Sequence, residues 1–155
     1  MFKTIVWATD GSDLAAGALD YVRELAEQDG PKIVAVHANE LMRGRSGGYP
    51  LLADEPELEA KIEKQIEELR SIGIDATFEV HSGSKSVATL IARAAEDAGA
   101  DLIVVATHGT GGLTAALMGS VARALCHTAK TPVLVIPPVR KREQQTTKGA
   151  LLAAV

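Results

Sequence analysis

The sequence predicts an α/β protein: one open, five-stranded parallel sheet with helices on both faces, Rossmann-like in plan, with strand order 3-2-1-4-5. Two patterns point there. Short runs rich in Val, Ile and Ala, apolar at nearly every position, have the character of strands buried on both faces. They alternate with longer stretches whose apolar residues recur every three or four positions, as helices packed on such a sheet require. A length of 155 residues suits one domain with one core.

The elements follow in order. Thr4 to Ala8 is the first strand, with Trp7 in the core, and Asp10, Gly11, Ser12 and Asp13 supply turn and helix-cap chemistry. Leu14, Ala18, Val22 and Leu25 mark the first helix, which Gly30 and Pro31 end. Lys32 to Ala38 is the second strand. Residues 39–53, with Gly44, Gly47, Gly48, Pro50, Arg43 and Arg45, predict a surface loop. Leu58, Ile62, Ile66, Leu69 and Ile72 place an amphipathic, glutamate-rich helix over 54–72, stopped by Gly73. Residues 75–80 form the third strand. Val87, Leu90, Ile91, Ala94, Ala95 and Ala98 give the clearest helical period, closed by Gly99. Asp101 to Ala106 is the fourth strand. Ala116, Leu117, Val121, Ala124, Leu125 and Thr128 line one face of the last helix, and Pro132 to Ile136 is the fifth strand.

The chemistry concentrates between Val104 and Val121. An apolar strand opens there through Gly109, Gly111 and Gly112 and leads to Gly119 and Ser120 in the early turns of a helix. Glycines let a ligand lie against the backbone, and a helix N-terminus favours an anion. The stretch therefore predicts a nucleotide-binding domain. Ligands of parallel sheets sit at the carboxyl ends of the strands, where strand order reverses. That expectation gathers Asp10, Ala38 and the glycine loop around one crevice.

Composition sets limits. Sixteen basic residues against twenty acidic ones give −4, with no global attraction to nucleic acid or an anionic membrane. The first ten residues reach a strand and an aspartate too soon for a signal peptide, and no apolar run nears the roughly 18 residues of a membrane span. The lone Cys126 cannot form an internal disulfide, and a small packing role is expected of it. A cytoplasmic protein is the expectation. Residues 138–155 differ: four basic residues against one acid give +3, which leaves −7 for residues 1–137. A disordered terminus is expected there, with a basic and then apolar interaction arm as the alternative.

Competing motifs fail. The turn after the first strand reads D-G-S-D and lacks a dinucleotide fingerprint. Gly83-Ser84-Lys85-Ser86 lacks the glycines of a Walker A loop and is an ordinary helix start. Ser46-Gly47-Gly48 lacks the aspartate and serine of an ATP pyrophosphatase loop. No His-x-x-His or Cys-x-x-Cys pair offers a zinc site.

Gly109, followed after nine residues by Gly119-Ser120, lies between an apolar strand and P-V-L-V-I-P. This arrangement resembles the C-terminal signature of the universal stress protein family. T-I-V-W-A-T-D-G-S and A-D-L-I-V-V-A-T-H-G resemble that family's first strand and the strand ahead of its loop. The likeness spans residues 1–137. The family's ATP-binding members carry glycine, two residues, glycine, nine residues, then glycine with serine or threonine. Here Ala106 occupies the first of those positions, while Gly109, Gly119 and Ser120 match.

Carried across position by position, the resemblance implies a ribose contact at Asp10 and at Ala106, and adenine contacts through the backbone of Ala38. It implies phosphate contacts at Gly109, Gly119, Ser120 and Val121. Ala8, Thr9, Val105 and His108 complete the expected nucleotide site, with ATP or AMP as ligand and Mg²⁺ held through the phosphates. Alternatives stay open: Asp10 as a helix cap, Gly119 as a packing residue, His108 bonded to a neighbouring carbonyl. His37 and His81 are expected to be structural, and His127 solvated. The glycine loop has no carboxylate, lysine or arginine, so efficient phosphoryl transfer is not expected. The resemblance thus implies a stress-response or signalling module that binds adenine nucleotide and turns it over slowly or not at all. The alternative is a nucleotide-free interaction protein, with a slow ATPase or autokinase as a weaker one. The apolar fifth strand at a sheet edge, and the family resemblance with it, imply a homodimer through Pro132 to Ile136.

Overall fold

The computed structural model describes residues 1–41, 55–107 and 118–137, except the side chains of Leu14 and Asp29. The elements are β1 (Thr4–Ala8), α1 (Asp13–Asp29), β2 (Lys32–Glu40), α2 (Glu55–Ser71), β3 (Ala76–Gly83), α3 (Val87–Asp97), β4 (Leu102–Ala106), α4 (Ser120–Thr128) and β5 (Val133–Ile136). They form one sheet in the order β3-β2-β1-β4-β5, and every pairing is parallel. The expected fold class and strand order are therefore those of the molecule.

Alternation along the strands sends side chains to two cores. Ile5, Trp7, Ile33, Ala35 and Val104 meet Ala18 and Val22 of α1 and Ile62, Ile66 and Leu69 of α2. Val6, Ala8, Val34, Val36, Ile103 and Val105 meet Ala88, Ile91 and Ala95 of α3 and Ala122 and Leu125 of α4. Helix ends follow local chemistry. Ser12 Oγ accepts from Ala15 N–H at 3.1 Å to cap α1, and Gly30 closes that helix at φ 64°. Ser86 caps α3 through Thr89 N–H, so the segment beginning at Gly83 is the ordinary helix start its sequence predicts.

Three expectations change. β2 and β3 run on to Glu40 and Gly83, because Asn39 pairs with Ser82 and Glu40 with Gly83 in a ladder indifferent to side-chain polarity. α4 begins at Ser120, so Gly119 is its N-cap rather than a residue within the helix. Ala116 and Leu117 lie outside the described residues. With that phase Ala122 and Leu125 are buried, whereas Thr128, on the predicted apolar face, is exposed, and so is Cys126 instead of packing. The 138–155 segment, with Arg140, Lys141, Arg142 and Lys148, also lies outside the described residues. No helix among the described residues is long and apolar enough to cross a membrane.

The start of β4 is locked to the start of β1. Asp101 Oδ2 accepts from Lys3 N–H at 2.7 Å and from Thr4 N–H at 3.0 Å, and Asp101 N–H donates to Thr4 C=O at 2.9 Å. The two donors, with the Lys3 charge beside them, hold the Asp101 carboxyl below its ordinary value. Because the folded value is the lower one, the stabilisation is complete above the unfolded carboxylate range and is lost as pH falls through the folded value. Asp101→Asn is expected to lower the urea midpoint at neutral pH and to shrink the difference from the native chain in acid. Unfolding followed by fluorescence of Trp7, the one tryptophan, measures both.

Candidate functional site: the notch at the end of β1

β1 stops short of its neighbours. Its last pairs are Ala8 with Val36 of β2 and Ala8 with Val105 of β4, capped by Thr9 N–H donating to Val36 C=O at 3.0 Å. β2 continues for four residues past that level and β4 for one. In a parallel strand, backbone groups of alternate residues face alternate sides. Lys32 N–H bonds Lys3 in the β1 segment, and Ile33 and Leu41 N–H bond β3 and its leading turn. The N–H and C=O of Ala38 therefore face the β1 side, beyond the last β1 pairing. Ile103 and Thr107 N–H bond carbonyls of the β5 segment, so the backbone of Ala106 also faces β1. The central strand thus ends in a notch walled by backbone from Ala38 and Ala106.

The turn after β1 forms its floor. Thr9 is buried, its Oγ1 accepts from Gly11 N–H at 3.2 Å, and Asp10 Oδ1 accepts from Ser12 N–H at 3.0 Å. The capping oxygen of α1 belongs to Ser12, so Asp10 supports the turn and does not cap the helix. Gly11 has φ +73°, and a Cβ there would stand 3.1–3.2 Å from Leu58 of α2. Both the left-handed backbone and the close approach require glycine.

On the β4 side, Thr107 N–H donates to Ile136 C=O at 2.8 Å and Thr107 C=O accepts from Gly119 N–H at 2.6 Å. Thr107 and Gly119, on either side of the glycine-rich segment, are thereby joined where α4 begins. His108 and Gly109 belong to that segment and lie outside the described residues, as do the Arg43 and Arg45 segment and Ser46-Gly47-Gly48. Gly119 has φ −56°, a backbone open to any residue. Ser120 is exposed in the first turn of α4, with Val121 half-buried beside it. Ala8, Val105, Thr9, Asp10, Ala38, Ala106, Gly119, Ser120 and Val121 thus gather at one end of the sheet. Ala106 closes β4 opposite Ile136, has no positive φ, and packs its methyl against the core shared with α1 and α2.

The sequence reading missed Glu55. This first residue of α2 is buried, with Oε1 2.7 Å from His37 Nε2 and accepting from the side-chain amide of Asn39. His37 Nδ1 lies 3.0 Å from Thr9 C=O. The sequence did carry two signals: a histidine inside the otherwise apolar K-I-V-A-V-H-A, and the Glu-Pro that opens α2. His37 lies directly behind the notch. His81 instead meets Glu79 at 2.9 Å, and His127 is exposed. Among the described residues no cluster of His, Cys, Asp or Glu could hold a metal ion.

Comparison with known proteins agrees with this geometry. The model of the universal stress protein family matches residues 1–137. The chain belongs to the universal stress protein family. It is 31% identical over 150 residues to a universal stress protein of Methanocaldococcus jannaschii, covering 91% of this chain and 85% of that one. A solved universal stress protein family structure from Burkholderia pseudomallei shares 29% identity at a TM-score of 0.69, covering 87% and 96% of the two chains. The Archaeoglobus fulgidus universal stress protein, solved in complex with dAMP, shares 25% identity at a TM-score of 0.66 over 88% of this chain and 98% of that one.

Proposed function

We propose that this universal stress protein is an adenine-nucleotide-binding stress-response or signalling module, holding ATP or AMP in the notch at the end of β1. The observation that carries the reading is the convergence there of Asp10, outward backbone groups of Ala38 and Ala106, and the N-terminus of α4. In this arrangement the Asp10 carboxylate accepts from ribose hydroxyls, and Ala38 N–H and C=O meet the adenine edge. N–H groups at Gly109, Ser120 and Val121 receive the phosphates, beside Gly119, whose own N–H is given to Thr107 C=O. Hydrogen bonds to a charged partner contribute roughly 1.5–3 kcal/mol each, so a few suffice for micromolar affinity. The dAMP held by the Archaeoglobus fulgidus relative supports an adenine nucleotide as the ligand class. Mg²⁺ would enter with the phosphates. The described part of the notch offers no metal cluster of its own and no lysine or arginine, which favours retention or slow turnover over efficient phosphoryl transfer.

Ala106 is compatible with this function. Where the family's ATP-binding pattern has glycine, alanine keeps ordinary strand backbone and turns its methyl into the core. Isothermal titration of the nucleotide-stripped protein with Mg-ATP, and with AMP for comparison, is expected to give affinity on the order of micromolar. Ala106→Gly is expected to bind within a few-fold of the native chain. Binding by the glycine variant alone would show that this chain has given up its nucleotide and would favour the interaction-protein reading.

The β5 edge supports a homodimer. Leu134 is 36% exposed on the outermost strand, and a bare apolar edge favours pairing with a second copy. Sedimentation at micromolar concentration is expected to give the dimer mass for the native chain and the monomer mass for Leu134→Glu.

A further inference from the structure

We propose that His37 and Glu55 form a proton-dependent brace that positions the Asp10 turn, so that nucleotide affinity depends on the imidazole carrying both of its ring protons. The proposal rests on the nucleotide reading of the notch and adds its regulation. His37 is 4% exposed, and its ring stands between two oxygens that can only accept: Thr9 C=O, 3.0 Å from Nδ1, and Glu55 Oε1, 2.7 Å from Nε2. A neutral imidazole carries one N–H. It can satisfy one of these oxygens, and it then directs a lone pair at the other. Both contacts hold only when one further proton lies between Nε2 and Oε1. Asn39 donates to the same Glu55 oxygen.

What the brace holds is the floor of the notch. Glu55, Leu58 and Lys61 are spaced three apart and so form one stripe along α2. Glu55 reaches Thr9 through His37, Leu58 closes on Gly11, and Lys61 pairs with Asp13. Every second residue from Thr9 to Asp13 is thereby tied to α2, with Asp10 between the first two ties. The Lys61 pair is exposed and contributes little by itself, so the buried end of the stripe sets the geometry.

Among the described residues the charged surroundings of the ring are these. On α2 the facing group is Glu55. Asp10 follows Thr9 in the turn, and Asp13 of α1 is engaged by Lys61. Val80 is the β3 partner beside His37, whereas Glu79 and His81 bond each other on the opposite face of the sheet. Loss of the second ring proton at higher pH sets acceptor against acceptor at one of the two contacts, and the turn loosens. Affinity therefore falls as pH rises, and by linkage nucleotide binding takes up a proton in that range.

The discriminating variant is Glu55→Gln. Its amide N–H can donate to Nε2 while Nδ1–H still donates to Thr9, and Asn39 can turn its own amide to match. The bridge then needs no second ring proton. Calorimetric titration with Mg-ATP would run from about pH 5 to beyond the range in which histidine ordinarily changes charge. The native chain is expected to weaken about tenfold toward alkaline pH relative to Glu55→Gln, the loss of one hydrogen bond. Titration of the ligand's own phosphate is common to both chains and cancels in the ratio. Ring ¹⁵N shifts of His37 should show two protonated nitrogens in the native chain at low pH and only Nδ1 protonated in the variant at neutral pH. Parallel affinity profiles, or a native ring with one proton throughout, would overturn the brace. No binding by either chain at any pH would overturn the nucleotide reading, and with it the regulatory role, while the ring shifts still decide the proton count.

Discussion

β1 is paired in parallel on both edges, with β2 on one side and β4 on the other, and the chain winds outward from it in both directions. The first two connections bring α1 and α2 to one face, and the later ones bring α3 and α4 to the other. Because β1 is also the strand that ends first, the reversal leaves backbone of its two neighbours facing each other across its missing continuation. Side chains need not be charged or reactive for such a place to bind a ligand. Amide and carbonyl groups already point into it, fixed by the same ladder that holds the sheet together. This is why a site whose described walls are largely alanine, glycine and threonine can have a definite geometry.

The turn that closes β1 must be short, polar and tightly seated, and these demands conflict with its burial. The molecule meets them with Gly11, which has the left-handed backbone and the closeness to Leu58 that a side chain would prevent, and with a small buried polar network. Thr9, His37, Asn39 and Glu55 bring donors and acceptors together beside a largely apolar core. Leaving one of these groups unmatched would cost about 1–3 kcal/mol. The His37 ring thus links the position of Thr9 to Glu55.

Periodicity and strand character carried most of the fold. The five strands and four helices among the described residues follow from apolar runs alternating with helical spacing, since burial on both faces leaves little choice of side chain, and the order of the sheet is that of the expected Rossmann-like class. Strand ends were less legible. Asn39, Glu40 and Ser82 look like loop residues, yet their backbones pair, and backbone pairing does not depend on the side chain. In α4 the expected face holds at Val121, Ala124 and Leu125, while Gly119 caps the helix and Thr128, in its last turn, is exposed. Of the candidate site, Asp10, Ala38 and Ala106 could be placed because strand ends converge in a parallel sheet. Glu55 was marked only by the Glu-Pro that opens α2 and by the histidine within β2, since its contact with His37 joins residues 18 apart through the fold.

The nucleotide site proposed here is the notch beyond β1. Backbone amide shifts of the ¹⁵N-labelled full chain, followed as Mg-ATP is added, test it most directly. The account predicts saturable shifts at Thr9 to Ser12, Ala38, Ala106, Thr107 and Gly119 to Val121, with the outer faces of α1 and α3 unmoved. Shifts centred on the β5 edge or on the exposed face of α2, with the residues of the notch silent, would contradict it.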